Sequence, residues 1–137
     1  MKRTDFQQIA KQRVAEAKAL LDAGHHQGAY YLVGYTVECA LKSCVAKQVN
    51  RCDFPDRKLA EKAFTHDLGQ LLKVAGLELQ FEQDRHANPA LDVNWAIVKD
   101  WSETSRYDLG INALQARDLY SAVAGRNGVF PWLRKRW

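Results

Sequence analysis

The sequence predicts an all-α fold, an up-and-down antiparallel bundle of four to five helices. Three observations favour this class. Apolar residues recur at spacings of three and four in several segments, no segment alternates apolar and polar residues as a half-buried strand does, and the connections between helical segments are short. The 137 residues have the size of one compact domain, so we expect a single helical domain over residues 1–137.

The first two helices carry the clearest patterns. Thr4 and Gln7 have the spacing of a capping box at the start of the first helix, and Gly24 is placed to end that helix. The second helix contains "AYYLVGYTVECALKSCVAK", from Ala29 to Lys47, in which apolar residues lie on several faces. We therefore expect it to be the central and most buried helix.

The third helix follows a region of mixed charge. The segment from Asn50 to Thr65 contains Pro55, which favours a loop with a short helical piece. In "THDLGQLLKVAG" we expect Thr65 to cap the helix, Asp67 to complement its positive N-terminal end and Gly76 to end it.

A fourth helix is expected from near Asp92 to Arg106, because Trp95, Val98 and Trp101 recur at helical spacing. Asn88 and Pro89 are expected to break whatever element precedes this helix.

Two further helices are predicted near the end of the chain. The fifth begins at Asn112, with Gln115 as its capping partner, and ends before Gly125. Pro131 has the residue type favoured at a first helical position, so we expect it to open a short final helix in "PWLRKRW".

The composition is that of a globular protein without a membrane span. Hydrophobic residues make up 47% of the chain, charged residues make up 26%, and no apolar run approaches the roughly 20 residues of a membrane-spanning helix. The first residues lack the continuous apolar stretch of a secretory signal, so we expect a cytoplasmic protein with no membrane partner. The formal charge of +4 permits attraction to nucleic acid or to an acidic partner without identifying either.

The sulfur and imidazole residues do not form a metal-binding motif. Cys39, Cys44 and Cys52 are odd in number and lack metal-ligand spacing, so we expect reduced and mostly packed thiols. His25 and His26 are adjacent, but the sequence indicates no third ligand for them. We expect neither a metal nor a cofactor.

The second helix also carries a polar stripe beside its apolar core. Tyr31, Tyr35, Glu38 and Lys42 follow one another at spacings of four, three and four, which places them on one face. The stripe is either a ligand-binding surface or a structural margin, in which Glu38 and Lys42 form a surface ion pair flanked by packed tyrosines.

Two other segments contribute candidate site residues. Arg106, next to Tyr107, can hold a carboxylate or a phosphate through the forked donors of its guanidinium group. Its structural alternatives are a helix-terminal cation and a salt bridge to Glu38. His66, next to Asp67, is expected in the first turn of the third helix and is a weak catalytic candidate, because no nucleophile accompanies it.

Basic residues also cluster near both termini, in "MKR" at the start of the sequence and "RKR" near its end. Trp132 and Trp137 could stack on nucleic-acid bases there if they were exposed, although solvated terminal charge is the more common explanation for such clusters.

The order of three motifs resembles the HEPN family, named for higher eukaryotes and prokaryotes nucleotide-binding. "AYYLVGYTVECALKSCVAK" is followed by "THDLGQLLKVAGL" and then by "NWAIVKDWSETSRY", and the resemblance extends from Leu20 to about Val123. It implies a bundle of four or five helices, commonly a homodimer, related to the helical domain that accompanies some nucleotidyltransferases.

The chain departs from the motif of the HEPN ribonucleases. That motif is an Arg followed, after four to six intervening residues, by a His. Counting from Arg106, the eligible positions hold Ile111, Asn112 and Ala113, and none of the other Arg residues has a His at this distance. An Asn side chain cannot replace the proton transfer of an imidazole, so we expect binding without catalysis.

The resemblance therefore implies a non-catalytic module that binds a nucleotide or another phosphate-bearing ligand, or a small nucleotidyltransferase partner, within a pair of the toxin–antitoxin type. In this interpretation Arg106 holds phosphate, Lys42 adds positive charge, and Glu38 orients one of them. Tyr31 or Tyr35 stacks on a base. The remaining ligand-binding candidates are Tyr107, His66 and Asp67.

Two alternatives stay open at this point. The first is a metal-independent endoribonuclease that uses Arg106 and His66 in an altered arrangement on RNA. The second is a purely structural dimerisation module, which would leave large apolar residues such as Trp101, Phe130 or Trp132 exposed on a filled bundle.

Overall fold

The computed structural model describes residues 1–50 and 57–137, which form eight α-helices and one 3-10 helix and contain no β-strand. The all-α class is therefore confirmed, with more helices than the four or five expected. No helix in these two ranges is long and apolar enough to cross a membrane. In chain order the helices are α1 (Arg3–Asp22), α2 (His26–Asn50), α3 (Arg57–Lys62), α4 (Leu68–Val74), α5 (Glu78–Ala87), α6 (Pro89–Val98), η1 (Glu103–Tyr107), α7 (Ala113–Ala124) and α8 (Val129–Arg134).

Helix α2 is the centre of the fold, as its apolar pattern predicted. It contacts α1, α4, η1, α7 and α8, so most of its faces meet another element. Val33, Val37, Ala40 and Leu41 are at most 1% exposed. The apolar core that they join includes residues of α1, α4, α5, α6, α7 and α8. A helix surrounded in this way fixes the side chains that it carries against its neighbours.

The start of α1 differs from the expected capping box. The carboxylate of Asp5 accepts a hydrogen bond from the backbone N–H of Lys2 at 2.7 Å. Because Lys2 precedes the helix, Thr4 already lies inside the first turn and cannot act as the N-cap. The predicted end is confirmed: Gly24 has a φ of +83°, and the N–H of His25 donates to the carbonyl of Leu20 at 2.8 Å.

The cap of α4 is Asp67 rather than the expected Thr65. An Asp67 carboxylate oxygen accepts from the N–H of Gln70 at 2.9 Å, and the Thr65 hydroxyl accepts from the N–H of Asp67 at 3.1 Å. Thr65 therefore fixes the backbone just before the helix and does not cap the helix itself. Gly76, with a φ of +72°, ends the helix as predicted. The short helical piece expected before Thr65 is α3, whereas Cys52 and Pro55 lie outside the described residues.

The predicted fourth helix is wrong at both ends. Asn88 is the N-cap of α6 and Pro89 is its first residue, so this helix begins three residues before Asp92. The break expected at Asn88 and Pro89 is confirmed, since α5 ends at Ala87 with Asn88 as its C-cap. The helix ends at Val98, and Ser102 then caps the separate 3-10 helix η1, which contains Arg106. Helix α5, between Gly76 and Asn88, was not expected from the sequence.

The last two helices are predicted with unequal success. Asn112 and Gln115 form the expected capping box of α7, each side chain accepting from the backbone N–H of the other at 2.9 Å. Helix α8 begins at Val129 after the N-cap Gly128, so Pro131 is its third residue and not its first. A proline is tolerated there because the N–H groups of the first turn have no partner within the helix.

The aromatic residues named for an exposed dimerisation surface lie in the core instead. Trp101, Phe130 and Trp132 are only 3%, 4% and 8% exposed. The indole N–H of Trp132 donates to the carboxylate of Asp84 at 2.8 Å, so this ring is not open to a nucleic-acid base. Trp137 is partly buried and packs edge-on against Phe130.

Candidate functional site

A short polar contact in the candidate site joins Glu38 to His66. Glu38 lies on the side of α2 that is covered by the fold, with its side chain only 1% exposed. His66 immediately precedes the Asp67 cap of α4, and its side chain is half exposed. An oxygen of Glu38 lies 2.6 Å from Nδ1 of His66. The buried carboxyl group of Glu38, on the central helix, therefore holds the partly exposed imidazole of His66.

Lys42 completes this group, one helical turn beyond Glu38. Its ammonium nitrogen lies 3.8 Å from the second oxygen of Glu38, and its side chain is 18% exposed. The predicted pairing of the two residues is present, but the expectation that it lies on the surface is wrong for Glu38. Glu38 is buried although it belongs to the polar stripe, because α4 and the segment before it cover α2 at this position.

Burial has a direct electrostatic effect on Glu38. Removal from water disfavours the carboxylate and raises the pKa of Glu38, while the positive charge of Lys42 and the hydrogen bond to His66 act in the opposite direction. The negative charge of Glu103 adds a smaller upward contribution to the pKa. When the Glu38 carboxyl group is ionised it can only accept, so Nδ1 of His66 donates and Nε2 faces away from the pair.

His66 borders a cleft of about 370 Å³, which we call the His66 cleft. Its lining combines an imidazole, an ammonium group, carboxylates, hydroxyl groups and an indole, which can serve both polar and stacking contacts. The lining residues are Thr65, His66, Asp67, Leu68, Lys99, Trp101, Ser102 and Glu103.

The two tyrosines of the stripe stack on each other, and Tyr31 also stacks on Trp101. The ring of Tyr31 lies parallel to that of Tyr35, with centroids 6.1 Å apart, and it is also stacked on Trp101 at 6.1 Å. Gly34 makes room for the indole, since a Cβ at this position would lie 2.1 Å from Nε1 of Trp101. Burial, together with the adjacent Cys39, raises the pKa of Tyr35 to about 12.

Arg106 and Tyr107 lie on η1 at the surface. The guanidinium carbon of Arg106 is 4.9 Å from the centre of the Tyr107 ring. Electrostatic interaction with Tyr107, and to a smaller extent with Tyr31, raises the pKa of Arg106 above its usual value. The salt bridge to Glu38, one structural alternative for Arg106, does not form, because Glu38 pairs with His66 and Lys42.

The sequence-predicted site residues thus fall into two groups. Glu38, Lys42, His66 and Asp67 lie together at the start of α4, whereas Tyr31, Arg106 and Tyr107 lie together at η1. Trp101 connects the groups, since it stacks on Tyr31 and lines the His66 cleft. Tyr35 stacks beside Tyr31 at the same boundary.

Sequence reasoning missed several residues of this region, among them Gln27, Lys99 and Trp101. Gln27 donates to the backbone carbonyl of Arg106 at 3.0 Å, while Lys99 and Trp101 line the cleft. Gln27 could have been found, because it precedes Tyr31 by four residues and extends the polar stripe. Lys99 had no such signal, since its position depends on where α6 ends.

The thiols and imidazoles show no metal-binding arrangement where the structure can be described. Within residues 1–50 and 57–137 no three His, Cys, Asp or Glu side chains are grouped to hold a metal ion. Cys39 and Cys44 are buried free thiols, and burial raises the pKa of each to about 11. Such thiols are poor nucleophiles near neutral pH.

Comparisons with known proteins add no relative to this description. No family model, no curated protein and no solved structure matches the chain. Its function is therefore argued from the contacts described above.

Proposed function

We propose that this chain is an HEPN-like helical module that binds a nucleotide or another phosphate-bearing ligand between α2, the start of α4 and η1, without cleaving it. The observation that carries the proposal is the Glu38–His66 contact of 2.6 Å at the His66 cleft. It supports binding because one imidazole nitrogen is engaged by a buried group while the half-exposed ring remains open to a ligand.

The chemistry of this pair suits an anion. In its imidazolium form, His66 can donate from Nδ1 to Glu38 and from Nε2 to a phosphate oxygen. Lys99 adds a second cation to the lining of the cleft. Of the acidic lining residues, Asp67 already uses its carboxylate to cap α4. Arg106 supplies a third cation at η1, with the fork geometry that recognises phosphate.

The assembly proposed with this function is a homodimer that works with a small nucleotidyltransferase, in a pair of the toxin–antitoxin type. This part rests on the resemblance of "YTVECALK", "HDL" and "SRY" to the HEPN family. An HEPN-like up-and-down bundle is the corresponding fold, and the central position of α2 agrees with it.

The first prediction tests binding by calorimetric titration of the chain with ATP, GTP and inorganic pyrophosphate. We expect at least one of them to bind, and we expect His66→Ala and Arg106→Ala each to weaken binding by about tenfold or more, since a lost charge-assisted hydrogen bond is worth at least about 1.4 kcal/mol. Arg126→Ala is the matched control, because Arg126 is also exposed but lies neither on η1 nor on the lining of the His66 cleft.

Two results would overturn the proposal: no binding of any of the three compounds, or wild-type affinity in both site variants. Circular dichroism of each variant separates a lost contact from a lost fold.

A second function is favoured by the same contact. A carboxyl group that orients an imidazole is an arrangement used in general acid–base catalysis, so His66 with Arg106 could act in a metal-independent endoribonuclease. Incubating the chain with RNA in the presence of a chelator distinguishes the two functions. Cleavage that disappears in both His66→Ala and Arg106→Ala would replace binding by catalysis, whereas intact RNA supports the non-catalytic module.

A further inference from the structure

A second cleft lies between the start of the chain, the second half of α2 and the end of α3, and we call it the α3 cleft. Its volume is about 740 Å³, twice that of the His66 cleft, and no described residue lines both. Pockets that bind small molecules commonly have volumes of about 300–1,000 Å³. The apolar walls are formed mainly by Met1 and Phe6, by Val45 and Val49 of α2, and by Ala63 and Phe64 after α3. The α3 cleft is therefore large enough for a small organic ligand, at a site separate from the His66 cleft.

The apolar wall of the α3 cleft extends from the core to the surface. Val45 is only 4% exposed and belongs to the core, whereas Phe64 and Met1 are 81% and 77% exposed. Removing such apolar surface from water is favourable. A ligand with an apolar body would contact the buried part of the wall and would also cover Phe64 and Met1.

The charged groups of the α3 cleft are positive. Among the lining residues that the structure describes, Lys2, Arg3 and Lys42 carry cations and none carries a carboxylate. The Lys42 ammonium group lies 3.8 Å from Glu38, which is longer than a hydrogen bond, so its donors are not saturated by this ion pair. Arg3 donates to the backbone oxygen of Trp137 at 2.5 Å, while its buried Nε has no hydrogen-bond partner in the described part of the chain. The α3 cleft thus combines an apolar wall with an excess of positive charge.

We infer that the α3 cleft binds the anion of a single-chain fatty acid. The hydrocarbon chain lies against Val45, Val49 and Phe64, and the carboxylate lies at the cations, with Lys42 as its main partner. A nucleotide suits this cleft less well, because Thr4 is the only uncharged polar side chain of the described lining that could bind a base or a sugar. The inference goes beyond the proposed function, since the two clefts share no described lining residue.

Calorimetric titration with three twelve-carbon probes, each below its micelle concentration, tests the charge of the ligand. We expect dodecanoate to bind more tightly than dodecanol, and dodecyltrimethylammonium to bind most weakly. Burial alone would favour the alcohol over the carboxylate, because a carboxylate is costlier to remove from water. Tighter binding of dodecanoate therefore requires the cations of the cleft. Decanoate, which is two methylene groups shorter, should bind about tenfold more weakly if the chain is buried.

A variant that fills the α3 cleft tests the place of binding. Ala46 lines the cleft and is half-buried, so Ala46→Phe should occupy space needed by the chain and weaken dodecanoate binding by about tenfold or more. Ala96→Phe is the matched control, because Ala96 is exposed on α6 and does not line the cleft. We expect wild-type affinity in Ala96→Phe.

Two charge variants test the head group. Lys42→Met keeps the aliphatic part of the side chain and should weaken dodecanoate binding by about threefold to tenfold, while the affinity for dodecanol stays unchanged. Lys2→Met should act in the same direction with a smaller effect, because Lys2 is exposed. Unfolding temperatures are measured in parallel. If loss of the partner of Glu38 unfolds Lys42→Met, then Lys2→Met and Ala46→Phe still decide the question.

Three results would overturn the inference. The first is dodecanol binding as tightly as dodecanoate, and the second is wild-type affinity for dodecanoate in Ala46→Phe. The third is no binding of dodecanoate together with a dimer, detected by light scattering, that Ala46→Phe dissociates, because the cleft would then hold a second copy of the chain. None of these results bears on the His66 cleft, which is tested separately by His66→Ala.

Discussion

The carboxyl group of Glu38 is buried, and burial makes its ionised form energetically unfavourable. Its side chain is only 1% exposed, and the imidazole of His66 and the ammonium group of Lys42 replace part of the lost interaction with water. Burial raises the pKa of Glu38 despite both partners, so the folded protein holds a proton on this group more tightly than the unfolded chain does. Perturbed pKa values of this kind cluster at functional sites, and ion-pair networks that only stabilise a fold produce them as well.

The second prediction concerns the pH dependence of stability. Because the pKa of Glu38 is raised on folding, its contribution to the free energy of unfolding is most favourable below the unfolded value of about 4.5 and falls as pH rises from there through the folded pKa. Glu38→Gln removes this titration, while the amide oxygen can still accept from Nδ1 of His66. The stability of the wild type relative to the variant should therefore fall with rising pH in that window.

Denaturant unfolding of both proteins at a series of pH values measures the difference. Parallel curves across the window would show that Glu38 has the same pKa in the folded and unfolded chain.

Helix α2 shows why a residue-level pattern could place the site only in part. The spacing of Tyr31, Tyr35, Glu38 and Lys42 correctly put them on one face. It could not show that this face is covered near Glu38, because the covering groups come from the segment before α4 and from η1. His66 is 28 residues from Glu38 along the chain, a separation that helical periodicity does not address.

The third prediction concerns the two glycines of α2. A Cβ on Gly34 would lie 2.1–2.3 Å from three atoms of the Trp101 indole, so Gly34→Ala must displace the ring. We expect a loss of about 2–3 kcal/mol in the free energy of unfolding, at the upper end of the usual cost of overpacking. Tyr31 stacking should loosen as well, because it depends on the same indole.

Gly28→Ala is the matched control on the same helix. A Cβ there would meet only the flexible end of Leu20 at 3.2 Å. Since alanine favours helix over glycine by up to about 1 kcal/mol, this variant should be as stable as the wild type or slightly more stable. Chemical denaturation measures the free energy of unfolding of both variants. Equal losses in Gly28→Ala and Gly34→Ala would contradict the prediction that Gly34 is needed to leave space for the Trp101 indole.

Helix boundaries that depend on neighbouring residues were predicted correctly, whereas the end of the predicted fourth helix was not. Gly24, Gly76 and the Asn112–Gln115 capping box were predictable, because their signals act within a few residues. The fourth helix was misplaced because its apolar spacing continues through Trp101, whereas α6 ends at Val98. Trp101 is buried by contacts with α2 rather than by membership of that helix.

At the scale of the whole molecule, Asp84 ties the end of the chain to α5. Its carboxylate accepts from the indole N–H of Trp132 at 2.8 Å and from the guanidinium group of Arg136 at 3.0 Å. The guanidinium group also lies 3.6 Å from the centre of the Trp132 ring. The basic and aromatic residues near the C-terminus, which the sequence offered as a nucleic-acid surface, thus take part in holding α8 against the core.

The fourth prediction is that Asp84→Ala loosens α8 selectively. The N–H of Trp132 and the charge of Arg136 would lose their acceptor, so amide hydrogen exchange in α8 should become several-fold faster while exchange in α2 stays unchanged. Asp92→Ala is the control, because Asp92 forms only an exposed ion pair with Arg85 at 3.3 Å. Unchanged exchange in α8 would show that apolar packing alone holds it.

Acid should have a related effect. The hydrogen bond from Trp132 lowers the pKa of Asp84 below its usual 3.8. Ionised Asp84 therefore stabilises the fold at neutral pH, and this contribution is lost as pH falls through the lowered pKa of Asp84. The faster exchange in α8 should appear in the wild type only under these acidic conditions.

By itself, the sequence determined the helical class, the central place of α2 and the residue types available for a site, because hydrophobic periodicity and capping act over a few residues. The tertiary structure decided which of those residues meet. It buried Glu38 beneath His66, packed Trp101 against Gly34, and joined Gln27 to the backbone of Arg106. These contacts join residues 28 to 79 positions apart, so they depend on how the helices pack and cannot be read from the spacing within any one helix.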